Sequence, residues 1–198
     1  MKKLLLVSKS PRRAQLLQLA GFDFEVRATD ADENILPQWK TEEVAEQLAK
    51  KKAQEAYKQF QPTNETVLLA ADTVVIFENK IFGKPTDETD ALSMLETLSG
   101  KWHAVITGVC IRNGDTEISF SDSAKVFFRT LEKDELLFYI KHHHPFDKAG
   151  SYGIQDWIGV RIVEKVEGDY FNVMGLPVRL VAEALKQFGI TGIPLSEK

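Results

Sequence analysis

Two adjacent arginines follow a strand-like apolar run near the start of the chain, in the order V-S-K-S-P-R-R at residues 7–13. Ser10 fits the N-cap of a helix and Pro11 fits its first position, where the missing N–H costs nothing. Arg12 and Arg13 then lie where the helix dipole repels cations, unless an anion binds to the helix N-terminus. Because the arginine fork matches phosphate oxygens, this segment favours a phosphate site over a solvated arginine pair.

A carboxylate interrupts the apolar run L-L-A-A-D-T-V-V-I-F at residues 68–77. Burying an ionised carboxylate without a partner is very costly. Asp72 is therefore predicted either to face a cleft at a strand end or to pair with a cation or a metal. The structural alternative is a hydrogen bond to a neighbouring loop.

Three more charged residues are candidates for a functional site, although the sequence pattern around each is less specific. Lys52 lies on the apolar stripe of a predicted helix at 41–59, so it either extends past the edge of that stripe or points into a site that needs positive charge. Lys84 lies on the stiff turn F-G-K-P, where it is well placed to contact a ligand, although many surface turns look the same. Glu33, in the acidic loop D-A-D-E, is a second carboxylate for a divalent cation, although most acidic loops bind none.

Two other patterns carry no chemistry. The histidines at 142–144 are consecutive, so their side chains diverge and cannot converge on one metal ion. We predict that they close a helix before Pro145, where imidazolium suits the C-terminal dipole. The lone Cys110 excludes an internal disulfide framework and reads as a small buried hydrophobe.

Length and composition limit the number of domains and the class of protein. A chain of 198 residues suits a single domain, residues 1–198, with a sizeable core. Its 43% hydrophobic and 27% charged residues indicate a soluble globular protein. The net charge of -4 gives no general attraction to nucleic acid, so no stable nucleic-acid partner is expected. No apolar stretch has membrane-spanning length and the N-terminal apolar run is too short for a secretory signal, which predicts a cytoplasmic protein with no membrane partner.

Helices and strands alternate along the chain. The turn residues Asn113-Gly114 mark an antiparallel hairpin, so we predict a mixed α/β sheet. Thr41 is predicted to cap the long second helix. The predicted strands cover 3–8, 23–26, 66–77, a short segment after 79–80, 102–112, 116–129 and about 160–166. The predicted helices cover 11–20, 41–59, 87–98, about 132–142 and about 177–188.

Taken together, these segments closely resemble the Maf family of nucleoside triphosphate pyrophosphatases. The matching segments occur in the family's order, from the first strand to the last helix. They are S-K-S-P-R-R at 8–13, L-A-K-K-K-A at 48–53, A-D-T-V-V at 71–75, G-K-P at 83–85, M-L-E-T-L-S-G-K-W-H at 94–103, D-K-A-G-S-Y-G-I-Q at 147–155 and N-V-M-G-L-P at 172–177.

The resemblance implies hydrolysis of a nucleoside triphosphate between its α and β phosphates, assisted by Mg²⁺ or Mn²⁺. It implies an elongated α/β fold, with a mixed β-sheet and flanking helices, shared with the inosine triphosphatase group. In that fold two lobes surround a central cleft, and homodimers are usual. Asp72 matches the family's catalytic carboxylate and Glu33 its acidic partner, both as metal ligands. The positions that bind the triphosphate are matched by Ser8, Ser10, Arg12, Arg13, Lys52 and Lys84.

The segment D-K-A-G-S-Y-G-I-Q at 147–155, called the late motif below, resembles the form found in the subgroup that acts on dTTP and UTP. The subgroup that prefers 7-methyl-GTP carries a Glu-containing variant. Arg12, Thr73 and Gln155 match the positions linked to this preference. The Gln155 amide offers a donor and an acceptor to a pyrimidine edge that carries O4 and N3–H. Asp156 departs from the family pattern, where glycine is common, and His144 stands where an acidic residue often precedes the proline.

Two competing hypotheses belong beside this one. A nucleotide-binding regulator of cell division or septum formation, with little catalysis, would need the cations but has no reason to hold Asp72 in an apolar strand. A pyrophosphatase of broader or modified-base specificity would use the same phosphate-binding residues. Pyrophosphate release from a panel of triphosphates distinguishes the three hypotheses.

Overall fold

The computed structural model describes residues 2–192. Over this range the chain divides into two compact units. The first unit holds the described residues up to Asp72, then Thr107–Asp122, and those from Gly175 onward. The second holds Thr73–Ile106 and Ser123–Met174.

Within residues 2–192, one mixed sheet contains seven strands in the order β2-β1-β3-β5-β6-β7, with β4 paired to β3. The strands are Lys3–Val7 (β1), Phe24–Arg27 (β2), Thr66–Phe77 (β3), Lys80–Phe82 (β4), Trp102–Asn113 (β5), Thr116–Phe128 (β6) and Val163–Glu167 (β7). The α-helices are Pro11–Leu19 (α1), Val44–Phe60 (α2), Glu88–Leu98 (α3), Lys133–His143 (α4), Trp157–Arg161 (α5), Tyr170–Met174 (α6) and Val178–Lys186 (α7). Strand β1 runs parallel to β2 and β3, whereas β4 and β7 pair antiparallel. The predicted mixed α/β fold class is confirmed.

The core of the first unit lies where β1 and β3 pack against α2. Small alanines on the helix, at positions such as Ala49 and Ala53, let it approach the alternate residues Leu68 and Ala70 of β3 closely. Cys110 is fully buried in the same cluster. Burial raises the pKa of its thiol to about 12.

The core of the second unit contains an aromatic group around His103. The His103 Nε2 atom lies 2.7 Å from the Tyr152 hydroxyl, and both rings pack edge-on against Phe128. Since His103 is buried, desolvation lowers its pKa to about 3. The imidazole is therefore neutral at physiological pH.

Three local predictions differ from the structure. Thr41 does not cap α2: it begins a short 3-10 turn, and α2 starts at Val44. Asn113 ends β5, so the hairpin turn begins at Gly114, which has φ +60°. The strand predicted near 160–166 begins only at Val163, because α5 occupies 157–161. The histidine run ends α4 as predicted, with His144 in the left-handed region.

Among the helices of residues 2–192, none combines the length and the apolar character that a membrane span requires.

Candidate functional site

Two carboxylates of the first unit converge on one ammonium group. The Lys52 Nζ atom lies 2.7 Å from Glu33 Oε1 and forms a still shorter contact with Asp72 Oδ1. The side chains of Lys52 and Asp72 are only 15% and 14% exposed, whereas that of Glu33 is 51% exposed. Of the two interpretations of Lys52, the structure supports the one in which it points into a charged cluster.

Strand alternation explains why Asp72 meets α2. Leu68 and Ala70 belong to the β3 face that packs on this helix, and Asp72 continues that face by two residues. Val7 at the end of β1 pairs with Ala70, so Asp72 lies beyond the carboxyl end of β1. Because β1 and β3 are parallel, the segment that follows Val7 begins at this same edge of the sheet.

Lysines also hold the acidic loop that carries Glu33. Lys9 Nζ lies 2.5 Å from Asp30 Oδ1. Lys51 Nζ lies 3.3 Å from Asp32 Oδ2 and donates to the Asn34 carbonyl at 3.0 Å. The carboxylates of both pairs are largely exposed, so water and salt screen these attractions. Together they restrain an irregular segment that has no regular secondary structure of its own.

The serines and arginines of the opening segment have distinct environments. The buried Ser8 Oγ accepts from the Ser10 backbone N–H at 3.0 Å, which forms a tight turn before α1. Ser10 is the N-cap residue and Pro11 the first helical residue, as predicted, but the Ser10 side chain makes no capping hydrogen bond. An anion at this N-terminus could therefore take the capping role.

Arg13 is buried, and two nitrogens of its guanidinium contact other residues. Its Nε donates to the Gly175 carbonyl at 2.9 Å, and its Nη1 lies 3.5 Å from Ser8 Oγ. Desolvation lowers the pKa of Arg13, although an arginine remains charged at any physiological pH. Arg12 is half-buried. The two arginines therefore differ: one is built into the fold, and the other is more accessible.

Other predicted site residues belong to the second unit. Lys84 is exposed, and the carbonyl of the preceding Gly83 accepts from the Gly150 N–H at 3.0 Å, so the G-K-P turn is tied to the late motif. Thr73 is half-buried and points away from the face of β3 that carries Asp72, because strand neighbours alternate.

Gln155, the remaining specificity residue, lies in the late motif. Its Nε2 donates to Asp156 Oδ1 at 3.0 Å. Its Oε1 atom is buried and has no hydrogen-bond partner among the described residues. A buried acceptor without a partner costs about 1–3 kcal/mol, and few such groups occur in native structures.

The donor set fits a divalent metal bound together with a substrate. Across residues 2–192, no group of three or more histidine, cysteine, aspartate or glutamate side chains is arranged to hold an ion. Asp72 and Glu33 nevertheless supply two hard oxygen ligands that already approach one cation. Mg²⁺ commonly binds through one or two carboxylates, with phosphate oxygens and water completing its shell.

Sequence reasoning missed Lys148. Its side chain is only 11% exposed and lies 2.8 Å from Asp147 Oδ1 and 3.4 Å from Asp156 Oδ2. The available signal was a single lysine within the small and apolar residues of K-A-G-S-Y-G-I. A charge in such a run is predicted to need a partner.

Comparisons with known proteins agree with the resemblance. A family model described as "Maf-like protein" matches residues 3–188. A protein of Thermosipho africanus named dTTP/UTP pyrophosphatase is 50% identical over 188 residues, which cover 95% of this chain and 94% of that protein. Proteins with the same name from Aquifex aeolicus and Caldicellulosiruptor bescii are 40% and 43% identical. The match to the Aquifex protein covers 95% of this chain and 96% of that protein. The match to the Caldicellulosiruptor protein covers 96% of both chains.

Similarity to solved structures is weaker. The Ham1 protein of Staphylococcus aureus aligns with a TM-score of 0.47 at 14% identity, over 64% of this chain and 72% of that one. This similarity is too low to assign a fold.

Proposed function

Since the chain belongs to the Maf family, we propose that it hydrolyses dTTP and UTP to the monophosphate and pyrophosphate. The observation that carries the proposal is the convergence of Asp72 and Glu33 on Lys52 at the edge of the sheet where α1 begins. Relatives named dTTP/UTP pyrophosphatase support the choice of substrates, because their identity of 40% to 50% extends over nearly the whole chain.

Each residue of the first unit has a role in this chemistry. Asp72 accepts the proton of the water that attacks the α-phosphorus, the general-base role of a carboxylate positioned beside the reacting water. Lys52 keeps Asp72 in place and offsets negative charge as the pyrophosphate leaves. Arg12, with Ser8 and Ser10 at the start of α1, binds phosphate oxygens. Arg13 orients this segment while adding its own positive charge.

A divalent cation, Mg²⁺ or Mn²⁺, completes the proposal, with Asp72 and Glu33 as its protein ligands. When bound, it would neutralise phosphate charge and favour ionisation of the nucleophilic water. Removal of free metal by a chelator is expected to abolish turnover, and added Mg²⁺ or Mn²⁺ to restore it.

Lys84 and the residues that select the base complete the proposal. Lys84 adds a positive charge for the triphosphate. Gln155 offers its amide to the base edge, with Thr73 and Arg12 as further specificity residues. The Gln155 Nε2 atom supports this role, because it has a second N–H besides the one that it donates to Asp156 and can offer it to the base.

The test is pyrophosphate release from dTTP, UTP, dCTP, CTP, ATP, GTP, ITP and 7-methyl-GTP, with Mg²⁺ or Mn²⁺. Asp72→Asn is expected to reduce kcat by about 100-fold or more, in the usual range for a lost general base. Asp115→Asn, an exposed residue of the β5–β6 turn, is the matched control and should retain activity. Tight nucleotide binding without pyrophosphate release would contradict the proposal and favour the regulator. Preferred hydrolysis of a purine triphosphate would contradict the choice of base.

Two expectations about the whole protein belong to the same proposal. We propose that it acts in the cytoplasm as a homodimer. Sedimentation velocity at micromolar concentration tests the dimer, and fractionation of cells that express the tagged chain tests the compartment.

A further inference from the structure

Asp156 has an unusual arrangement for a residue at the start of a helix. It is the N-cap of α5, yet its side chain makes no capping hydrogen bond. An aspartate at this position usually accepts from the backbone of the first turn. Here the carboxylate turns instead to side chains of the late motif: Oδ1 accepts from Gln155 Nε2 at 3.0 Å, and Oδ2 lies 3.4 Å from Lys148 Nζ.

This arrangement determines which end of the Gln155 amide meets Asp156. A carboxylate can only accept hydrogen bonds, so the amide atom that faces it has to be the Nε2 donor. The carbonyl atom Oε1 is thereby turned to a buried position where the described residues offer it no partner. Lys148, itself buried, holds the carboxylate from the other side.

Gly153 provides the space for this group. A Cβ atom at Gly153 would lie 2.7 Å from Asp156 Oδ2, 2.8 Å from Gln155 Nε2 and 3.0 Å from Lys148 Cε. The first two distances are too short for real contacts, so a larger residue at 153 would push the Gln155 and Asp156 side chains apart. Because Gly153 has no side chain, those of Lys148, Gln155 and Asp156 can pack together beside it.

We propose that Asp156 is a positioning residue for base selection. By accepting from Nε2, it holds the Gln155 amide in one of its two flipped orientations, so that the site distinguishes a 4-oxo pyrimidine from a 4-amino pyrimidine. The inference rests on the proposed function, since it assigns a specificity device to that same reaction.

The chemistry of the two bases explains why the orientation matters. Uracil and thymine carry a donor at N3 and an acceptor at position 4, whereas cytosine carries an acceptor at N3 and a donor at position 4. An amide with fixed Oε1 and Nε2 positions matches one of these patterns, and its flipped form matches the other. Nε2 has two N–H groups, so one can bond Asp156 while the other meets the base.

Selectivity between UTP and CTP, and between dTTP and dCTP, is the quantity that tests the inference. Asp156→Gly frees the amide, and Asp156→Asn is an isosteric change whose own amide can either donate or accept. Both variants are expected to lower the UTP-to-CTP ratio of kcat/KM by about tenfold or more, on the order of one lost hydrogen bond. A merely structural role would lower both kcat/KM values alike and leave the ratio unchanged.

Asp147→Asn is the matched control, since Asp147 is the other carboxylate that contacts Lys148, at 2.8 Å from its Nζ atom. Its ratio should equal that of the wild type. Unchanged ratios in both Asp156 variants would overturn the inference while leaving the proposed function intact, and if Asp156→Gly does not fold, Asp156→Asn decides. Failure of the wild-type protein to hydrolyse either UTP or dTTP would refute the proposed function instead.

Discussion

At the scale of single residues, Lys52 is the group on which the candidate site most depends. Asp72 and Glu33 carry like charges, and the ammonium of Lys52 lets them lie close together. Holding both carboxylates before a substrate arrives reduces the ordering that binding must later impose. Loss of the lysine would leave a mostly buried carboxylate beside a second one, without the ammonium that contacts both.

Lys52→Met is therefore expected to lower kcat/KM by about 100-fold or more and to destabilise the fold by on the order of 1–3 kcal/mol. Lys50→Met is the control on the same helix, because Lys50 pairs across one turn with Glu46, at 2.9 Å. That pair is worth about 0.5 kcal/mol and lies outside the proposed machinery. Steady-state kinetics and urea unfolding measure the two effects. Equal losses in both variants would remove the special role of Lys52.

His103 predicts a pH dependence of stability. Its pKa is about 3 in the folded chain and rises to about 6.5 on unfolding, so the unfolded state binds the extra proton between these values. Stability due to this group is present above pH 6.5 and is lost as the pH falls below it. From pH 7.5 to 5.5 the loss is about 1.4 kcal/mol.

The variant His103→Gln cannot titrate but keeps a hydrogen-bonding group for Tyr152. It should be less stable than the wild type at pH 7.5, with a pH-dependent loss about 1.4 kcal/mol smaller. Urea unfolding at the two pH values measures the difference. An identical loss in variant and wild type would show that another group causes it.

At the scale of elements, Arg13 links the start of α1 to the segment before α7. Its Nε donates to the carbonyl of Gly175, which lies between α6 and α7. A lysine has a single nitrogen on a flexible stem and cannot reproduce this geometry. Arg13→Lys is expected to lower the free energy of unfolding by about 1–3 kcal/mol, since it leaves a buried carbonyl without its partner.

Arg12→Lys, at the neighbouring half-buried position, should cost less than about 0.5 kcal/mol while still raising KM through the lost phosphate fork. Urea unfolding and kinetics on the same preparations separate the two arginines. Equal destabilisation by both substitutions would show that burial does not distinguish them.

Elements with a long and regular sequence pattern could be predicted from the sequence, whereas short elements and tertiary contacts could not. The apolar run predicted β3 at 66–77, and its observed bounds are Thr66–Phe77, because alternation and burial act over a whole strand. Helix α5 was missed, since a helix of five residues leaves no periodic pattern. Asp72 could be predicted to need a cationic partner, whereas its pairing with Lys52 depends on the packing of α2 against β3. The Lys148–Asp156 contact likewise arises from tertiary packing.

At the scale of the whole molecule, the described chain passes between the two units four times, and three of these crossings lie within strands. Residues 72/73, 106/107 and 122/123 fall inside β3, β5 and β6. Because each unit would lose part of these strands if it unfolded alone, we predict a single cooperative transition for the chain. That outcome would support one domain over residues 1–198.

Tryptophan fluorescence tests the prediction. Trp39 belongs to the first unit, and Trp102 and Trp157 belong to the second. A Trp39→Phe variant reports on the second unit, and a Trp102→Phe/Trp157→Phe variant on the first. After correction for the stability of each variant, the urea midpoints should coincide with that from far-ultraviolet circular dichroism. Two separate midpoints within one variant would indicate independent domains.

The buried thiol of Cys110 bears on how the protein withstands oxidants. Peroxides and disulfides react with thiolates, and burial raises the pKa of this thiol to about 12, so the folded chain exposes almost none of the reactive form. The 198-residue chain has no second cysteine. Oxidants that inactivate thiol-dependent enzymes should therefore leave its turnover intact, and a thiol reagent would modify the chain only as fast as the core of the first unit opens.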